Sequence, residues 1–401
     1  MDFKKVLATC KPSPEEELHL QKLVKEILSK IKIPGAKPIL GGSGAKNTWL
    51  KGTHDIDIYV KFNVKQYSHK TDQLADILEK ALKKQFKLDR LHGSRDYYQV
   101  YKAPYTVEIV PILDIKKASE AKNITDFSHL HVAYVQKYKK VADEIRLAKL
   151  FAKAQGIYGA ESYMQGFSGY VMELLVIHYG SFMKMMRTVA KWKETTIIGD
   201  KKEALSLNPA KKVSPLILVD PVQPERNAAA ALSEEKYQQC IKACQKFLKH
   251  PSENLFEEEE INWEKIKKKG TVWYCAVTPL PEKKDVAGAK MLKAFDFTKQ
   301  TLERAEFKLY KSGWQYAAPS FFYFVVDKKP LSPTLLRQGP PLTHPEGVLH
   351  FKKQHKKILT KKGRLYAEVP REFTHVQDCL KSVLASENVV NRVKNVSVSI
   401  L

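Results

Sequence analysis

From Asp55 to Val60 the chain reads Asp-Ile-Asp-Ile-Tyr-Val, with aliphatic side chains at every second place. An extended strand, whose side chains leave opposite faces in turn, is the conformation that sets such a run half in and half out of an apolar core. The same alternation sends the Asp55 and Asp57 carboxylates out of one face, about 6–7 Å apart along the strand, while Ile56 and Ile58 anchor the other. Further strands are predicted at Tyr97–Tyr101 and Tyr105–Leu113, the latter carrying Glu108 between Val107 and Ile109. If the acid-bearing strands adjoin, Asp55, Asp57 and Glu108 make an oxygen cage for two Mg2+ ions about 3.5–4 Å apart, the spacing used for in-line phosphoryl displacement. Histidine or cysteine would serve so hard a cation poorly.

Before this strand, Ala36–Leu40 reads as another strand, and Gly41-Gly42-Ser43-Gly44 as a flexible turn leading into a helix start at Ala45–Leu50. Unobstructed backbone N–H groups around Gly42, the Ser43 hydroxyl and the Lys46 ammonium are the groups a triphosphate needs. Neither Gly-Gly-Ser nor Asp-x-Asp is specific alone; within some ten residues of each other they point to nucleotide chemistry. His54 adjoins the carboxylates, but strand alternation turns it from their face.

The rest of the chain divides by pattern. Ser13-Pro14-Glu15-Glu16 starts a helix that ends near Ile31, and a lysine-rich helix is predicted at Thr71–Gln85. Ala142–Met186 has helical apolar spacing interrupted by two glycine hinges, Gly156–Gly159 and Gly166–Gly169. A strand and turn follow at Pro215–Pro224, a helix from Ser233, and an acidic solvated linker at Glu253–Glu260. Beyond it, a helix, a strand at Val272–Val277, a helix at Ala289–Ala305 and strands at Phe307–Trp314 and Phe321–Val326 suggest a small α/β layer structure, closed by a turn at Gln338–Pro341. The aromatic run Phe321–Phe324 reads as core.

Charge says more about partners than about fold. A formal net charge of +24 and a pI near 9.5 suit a polyanion, and the densest basic run is Phe351–Arg364, with Lys352, Lys353, Lys356, Lys357 and Arg364. The histidines in and just before it, His344, His350 and His355, are irregularly spaced among lysines and fit a phosphate-binding tail better than a metal site. Five sparse cysteines favour a reducing compartment; Cys240 and Cys244, one helical turn apart, read as packing residues. Met-Asp-Phe-Lys-Lys gives no signal-peptide core, and the longest apolar stretch, Gly169–Phe182, contains Glu173 and His178. A cytoplasmic protein with no membrane span is expected.

The string Gly41-Gly42-Ser43-Gly44-Ala45-Lys46-Asn47-Thr48-Trp49-Leu50, closed by Gly52-Thr53-His54-Asp55-Ile56-Asp57, resembles the signature of the DNA polymerase β-like nucleotidyltransferases, and in particular the archaeal, class I CCA-adding enzymes. Gly156-Ile157-Tyr158-Gly159-Ala160-Glu161, Gly166-Phe167-Ser168-Gly169-Tyr170, Glu173-Leu174-Leu175, Asp220-Pro221-Val222 and Arg226-Asn227-Ala228-Ala229 look like that family's central module. The resemblance implies an α/β multidomain protein with a mixed-sheet, polymerase β-like palm (1–118), a central helical nucleotide-pocket domain (119–257), an RRM- or ferredoxin-like α/β body (258–315 with 372–401) and a basic tRNA-binding tail (316–371).

It further implies template-independent addition of CCA to tRNA from CTP and ATP, with release of pyrophosphate and contacts to the acceptor stem and elbow. A homodimer is compatible with it; a poly(A)-type or other RNA terminal transferase of the same superfamily, or a non-catalytic RNA-binding protein, are the alternatives. Asp55, Asp57 and Glu108 match the family's metal ligands, Ser43 and Lys46 its triphosphate grip, and His131, Lys149, Tyr158 and Arg226 its further nucleotide contacts. The chain departs from the family in having Glu108 where aspartate is common and Lys46 where arginine is frequent. It also has Asp126-Phe127-Ser128-His129 in place of Asp-Arg-Thr-Pro, which makes His129 a competitor of His131.

Overall fold

The computed structural model describes residues 1–401 and resolves into two units, Met1–Glu259 and Glu260–Leu401. In the first, α1 (Phe3–Cys10) precedes α2 (Pro14–Lys30). A capping box starts α2: Ser13 Oγ accepts from the Glu16 N–H at 3.1 Å, and the Glu16 carboxylate accepts from the Ser13 N–H at 2.7 Å. Strand β1 (Ala36–Leu40), the short helix α3 (Gly42–Lys46) and β2 (Asp55–Phe62) follow. Ile56, Ile58, Val60 and Phe62 are all buried on the inner face of β2, each contributing about 1.5–3 kcal/mol of transfer free energy.

After a single turn, α4 (Val64–Tyr67), helix α5 spans Leu74–Leu82. It is shorter than the predicted Thr71–Gln85, with Leu74, Ala75, Leu78 and Leu82 on its buried face, and ends in a turn that carries Phe86 into the same core. Strands β3 (Asp89–Leu91), β4 (Tyr97–Lys102) and β5 (Tyr105–Leu113) complete a sheet of order β1-β2-β5-β4-β3. It is mixed: β2 and β5 run parallel, and the other neighbours are antiparallel. Asp126 closes its rim, wholly buried, paired with Arg95 and accepting from the backbone N–H groups of Leu113, Lys122 and Asn123.

A second core of the same unit is helical. It holds α6 (Ser128–Gln136), α7 (Ala142–Ala154), α8 (Gly169–Tyr179), α9 (Phe182–Val189) and α11 (Glu234–Lys249), with the two-stranded β6 (Thr196–Ile198) and β7 (Leu216–Leu218) around α10 (Lys201–Ser206). Cys240 and Cys244 are buried within it on α11.

Three boundaries differ from the sequence reading. Helix α1 packs into this helical core and not into the sheet domain, with Val6 buried there and Phe3 edge-on to Phe182 at 5.7 Å. The first half of the acidic linker is anchored, since Leu255 and Phe256 insert beside Phe151. The two glycine segments are not hinges. They cross-bond, with Gly159 N–H donating to Phe167 at 2.8 Å and Gly166 N–H to Gly159 at 2.7 Å, and a Cβ at Gly166 would lie 2.3 Å from the Ile157 carbonyl oxygen. Their glycines permit close approach of two backbones.

The second unit begins with α12 (Trp263–Lys267), β8 (Thr271–Thr278), α13 (Lys284–Arg304), β9 (Leu309–Gln315) and β10 (Phe321–Val326). A subsidiary layer follows, of β11 (Thr334–Pro341), α14 (Pro345–Gln354), β12 (Ile358–Lys361) and β13 (Arg364–Pro370), and then α15 (Val376–Leu384), α16 (Glu387–Val390) and β14 (Asn395–Ile400). The main sheet is antiparallel, in the order β14-β8-β10-β9.

Strand β10, set with the tail by the sequence reading, is an interior strand of this sheet. Phe322 and Phe324 face Phe295 on α13, and Phe321 and Tyr323 face Trp263, so the aromatic run is core on both sides. Gln338–Pro341 is likewise the end of β11 and not a turn. The basic run forms a folded layer in which Phe351 of α14 packs on Leu365 and Ala367 of the three-stranded sheet β11-β13-β12.

Candidate active site

The parallel register of β2 and β5 sets Asp57 opposite Glu108, and Asp55 opposite Thr106, where the strand starts and solvent reaches. Asp57 is sunk beneath the preceding turn. The Gly41 N–H donates to the Asp57 carbonyl oxygen at 2.8 Å, and a Cβ on Gly42, at φ +54°, would lie 1.7 Å from Asp57 Oδ2. Glycine is therefore required at 42 both by backbone conformation and by the carboxylate beside it. Burial, followed by the Glu108 charge and a smaller one from Asp55, outweighs the attraction of Lys46 and pushes the Asp57 carboxyl up to about 6.

Glu108 Oε1 accepts from Gln99 Nε2 at 2.8 Å across the β4–β5 register. With Glu108 tied to Gln99, no three acidic, histidine or cysteine side chains are drawn together tightly enough to grip an ion as they stand. The donor set nevertheless fits a hard divalent cation: two opposed carboxylates, with a third two residues away, whose charges raise the proton affinity of Asp57 and which a cation would offset.

The turn differs in form from the expected loop and helix start. Gly42–Lys46 is itself the helix, α3, and Asn47 at φ 53° ends it, so that Trp49 and Leu50 turn into the core. Ser43 is half-buried in that turn.

Lys46 and Lys149, separate in sequence, converge on one carboxylate. Glu173 of α8, 1% exposed, lies 2.8 Å from Lys46 Nζ through Oε2 and 2.7 Å from Lys149 Nζ through Oε1, which also accepts from Thr48 Oγ1 at 2.7 Å. Lys149 also donates to the Thr48 carbonyl and hydroxyl oxygens at 3.3 and 3.0 Å. Burial alone would raise the Glu173 carboxyl, but the two ammonium groups hold it well below the usual range, at about 2. Burial lowers Lys149 in spite of its partner. One turn before Lys149, the buried Arg146 donates to the Trp49 carbonyl oxygen at 3.1 Å and to Asn47 Oδ1 at 2.7 Å. Each residue from Lys46 to Trp49 is thus gripped by α7 or α8.

On the other side of Lys46, whose ammonium stands 5.4 Å over the Tyr170 ring, lies a second buried acid. Asp220 accepts from Tyr170 Oη at 3.1 Å, Arg226 at 2.9 Å and the Val222 N–H at 2.9 Å, with His131 Nε2 3.1 Å away. The His131 ring stacks on Phe127 and lies 4.5 Å from Tyr170. His129 points elsewhere, with Nε2 2.9 Å from the Ile115 carbonyl oxygen, and burial lowers its proton affinity. Tyr158 is half-buried, its hydroxyl 2.8 Å from where a Cβ on Gly169 would stand. His54 is exposed, its ring 6.1 Å from Tyr105.

In the second unit, Lys352, Lys353, Lys356 and Lys357 are exposed, Lys357 lying 3.6 Å from Glu368, while Arg364 is half-buried and donates to the Gly339 carbonyl oxygen at 3.2 Å.

Sequence reasoning assigned no role to Gln99, Arg146, Glu173 or Asp220. One signal was available: Glu173 is a carboxylate inside the otherwise apolar stretch Gly169–Phe182, and a charge in such a place needs buried partners.

A mixed sheet with acids on paired strands below a glycine turn defines a nucleotidyltransferase. Residues 20–131 match the nucleotidyltransferase domain model, and a solved cytoplasmic RNA terminal U-transferase superposes with a TM-score of 0.51 at 15% identity over 65% of this chain and 98% of that one. A solved Cid1 poly(U) polymerase gives 0.52 at 15% identity, over 64% and 98%. At that identity the likeness is one of fold.

The chain belongs to the CCA-adding enzyme family. It is 31% identical to the CCA-adding enzyme of Methanocaldococcus jannaschii over 95% of this chain and 90% of that protein, and 32% identical to that of Pyrobaculum aerophilum over 95% and 93%. Residues 143–257 match the tRNA nucleotidyltransferase second domain, and residues 282–400 the CCA-adding enzyme C-terminal domain. No helix is long and apolar enough to cross a membrane.

Proposed function

We propose that this protein adds or repairs the 3′-terminal CCA of tRNA from CTP and ATP, releasing pyrophosphate, at the site built on Asp55, Asp57 and Glu108. The observation that carries the reading is the parallel register that opposes Asp57 and Glu108 beneath the Gly42 turn, in a chain whose relatives along nearly its whole length are CCA-adding enzymes.

Asp55, Asp57 and Glu108 would hold two Mg2+ ions, which when bound lower the pKa of the 3′-hydroxyl and neutralise charge on the phosphates. Gln99 orients Glu108, and Gly42 leaves room for the Asp57 carboxylate. Ser43 and Lys46 bind the triphosphate. His131, Tyr170 and Arg226, aligned by Asp220, line the side where the base lies, with Tyr158 near it. Lys149, whose ammonium has three acceptors within the protein, serves the nucleotide through Thr48 and Glu173.

The second unit provides the RNA surface. Its βαββαβ order, with β14 beside β8, supports an RRM- or ferredoxin-like body, and the exposed lysines of α14 and the following loop face the backbone of the tRNA elbow. The test is incubation of the full chain with tRNA lacking its CCA end, CTP, ATP and magnesium, followed by sequencing of the 3′ terminus. Addition of C, C and A in that order is expected; a homopolymer tail would replace this reading with a general terminal transferase.

A further inference from the structure

Three charges converge at one point: the half-buried Lys46 of α3, the buried Lys149 of α7 and the single carboxylate between them, Glu173. Glu173 Oε1 is fixed by Lys149 and Thr48, so its other oxygen, Oε2, has a defined position from which to hold the Lys46 ammonium. Lys46 carries a flexible four-carbon stem, and a lysine acts on phosphate as a point charge whose usefulness depends on where the stem is held. Its other neighbour, the Tyr170 face at 5.4 Å, limits the ammonium from one side only.

We infer that Glu173 is a positioning residue for nucleoside triphosphate binding, acting through Lys46 and stationed by Lys149 and Thr48. The inference rests on the reading of Lys46 as a triphosphate contact.

The variants separate placement from charge. Glu173→Gln removes the carboxylate charge between the two ammonium groups, whereas Glu173→Asp keeps that charge and shortens its reach, so the aspartate variant isolates the loss of placement.

The experiment measures KM for ATP and CTP, and kcat, with full-length protein and truncated tRNA for the parent, Glu173→Gln, Glu173→Asp and Lys46→Met. Glu173→Gln should raise the nucleotide KM about tenfold, as expected for one charged hydrogen bond. The KM for tRNA should not move.

Glu173→Asp should raise the nucleotide KM by a smaller factor, about threefold. It serves as the test if Glu173→Gln does not fold. An unchanged nucleotide KM in Glu173→Gln beside a raised one in Lys46→Met overturns the positioning role and leaves the triphosphate reading intact. A Lys46→Met variant with normal KM overturns both. A lowered Tm in Glu173→Gln with an unchanged nucleotide KM in both Glu173 variants assigns Glu173 to stability alone.

Discussion

Asp57 on β2 and Glu108 on β5 face each other directly across a parallel strand pair, so the spacing between two of the acids is set by the hydrogen-bonded backbone and not by a loop. The third, Asp55, shares the strand and the face. Asp57→Ala should therefore lower nucleotide incorporation by at least about 10³-fold, a loss of some 4 kcal/mol of transition-state stabilisation. Single-turnover extension of truncated tRNA, with filter binding of the same tRNA, checks this: binding should remain within about twofold.

The raised proton affinity of Asp57 makes a statement about stability. Its carboxyl titrates near 6 in the folded chain against 3.8 as the ordinary value, so between those values the folded state holds more protons than the unfolded one. Stability from this group is present below the lower value and is lost as pH rises through the upper. In chelator, Asp57→Asn should be more stable than the parent at pH 8 by no more than about 3 kcal/mol, and the advantage should vanish near pH 4. Paired denaturant titrations at the two pH values measure it. Magnesium should reverse the order at pH 8.

Gly42 combines a positive φ with contact to Asp57. Gly42→Ala should cost about 1–2 kcal/mol of stability from backbone strain. Its methyl also displaces the carboxylate, so kcat should fall by more than about tenfold, since misplacement of this order costs up to 10²-fold. A Tm shift with no loss of kcat would contradict the contact.

The two histidines should separate cleanly. His131→Asn is expected to raise the KM for ATP and CTP about three- to tenfold, a loss of about 1 kcal/mol, with little change in Tm. His129→Asn removes a partner of the Ile115 carbonyl and should lower Tm while leaving KM near normal. Thermal melts and steady-state kinetics on both variants decide which ring serves the nucleotide.

The exposed lysines predict a salt effect. Replacing Lys352 and Lys353 by alanine should weaken tRNA binding uniformly across tRNA sequences and flatten the log-log salt slope by roughly 0.7–0.9 per lost phosphate contact. Nucleotide KM should be unaffected. Arg364, bonded to Gly339, should matter less.

The chemistry was legible in the sequence where local spacing determines geometry. Alternation placed Asp55 and Asp57 on one face of a strand, and glycines marked the turn beside them. The partner strand of Glu108 was also legible, but its register was not, because parallel pairing is fixed by packing between distant segments. The Glu173 cluster brings together residues 46, 48, 149 and 173, and no local period encodes that meeting. Strand β10 and its buried aromatic run were legible too, but the domain border set before it separated it from its sheet, because local pattern does not give strand order.

Helix α1 lies against α7, beside Phe182 and Phe247, on the far side of more than a hundred intervening residues in the chain order. Topologically, the acid-bearing sheet is a guest inserted between two pieces of its host. Both of its leads return to the same helical wall, so trimming the first ten residues would open a gap in that wall, and the sheet would be held there by its second lead and by the side chains that clasp Lys46–Trp49.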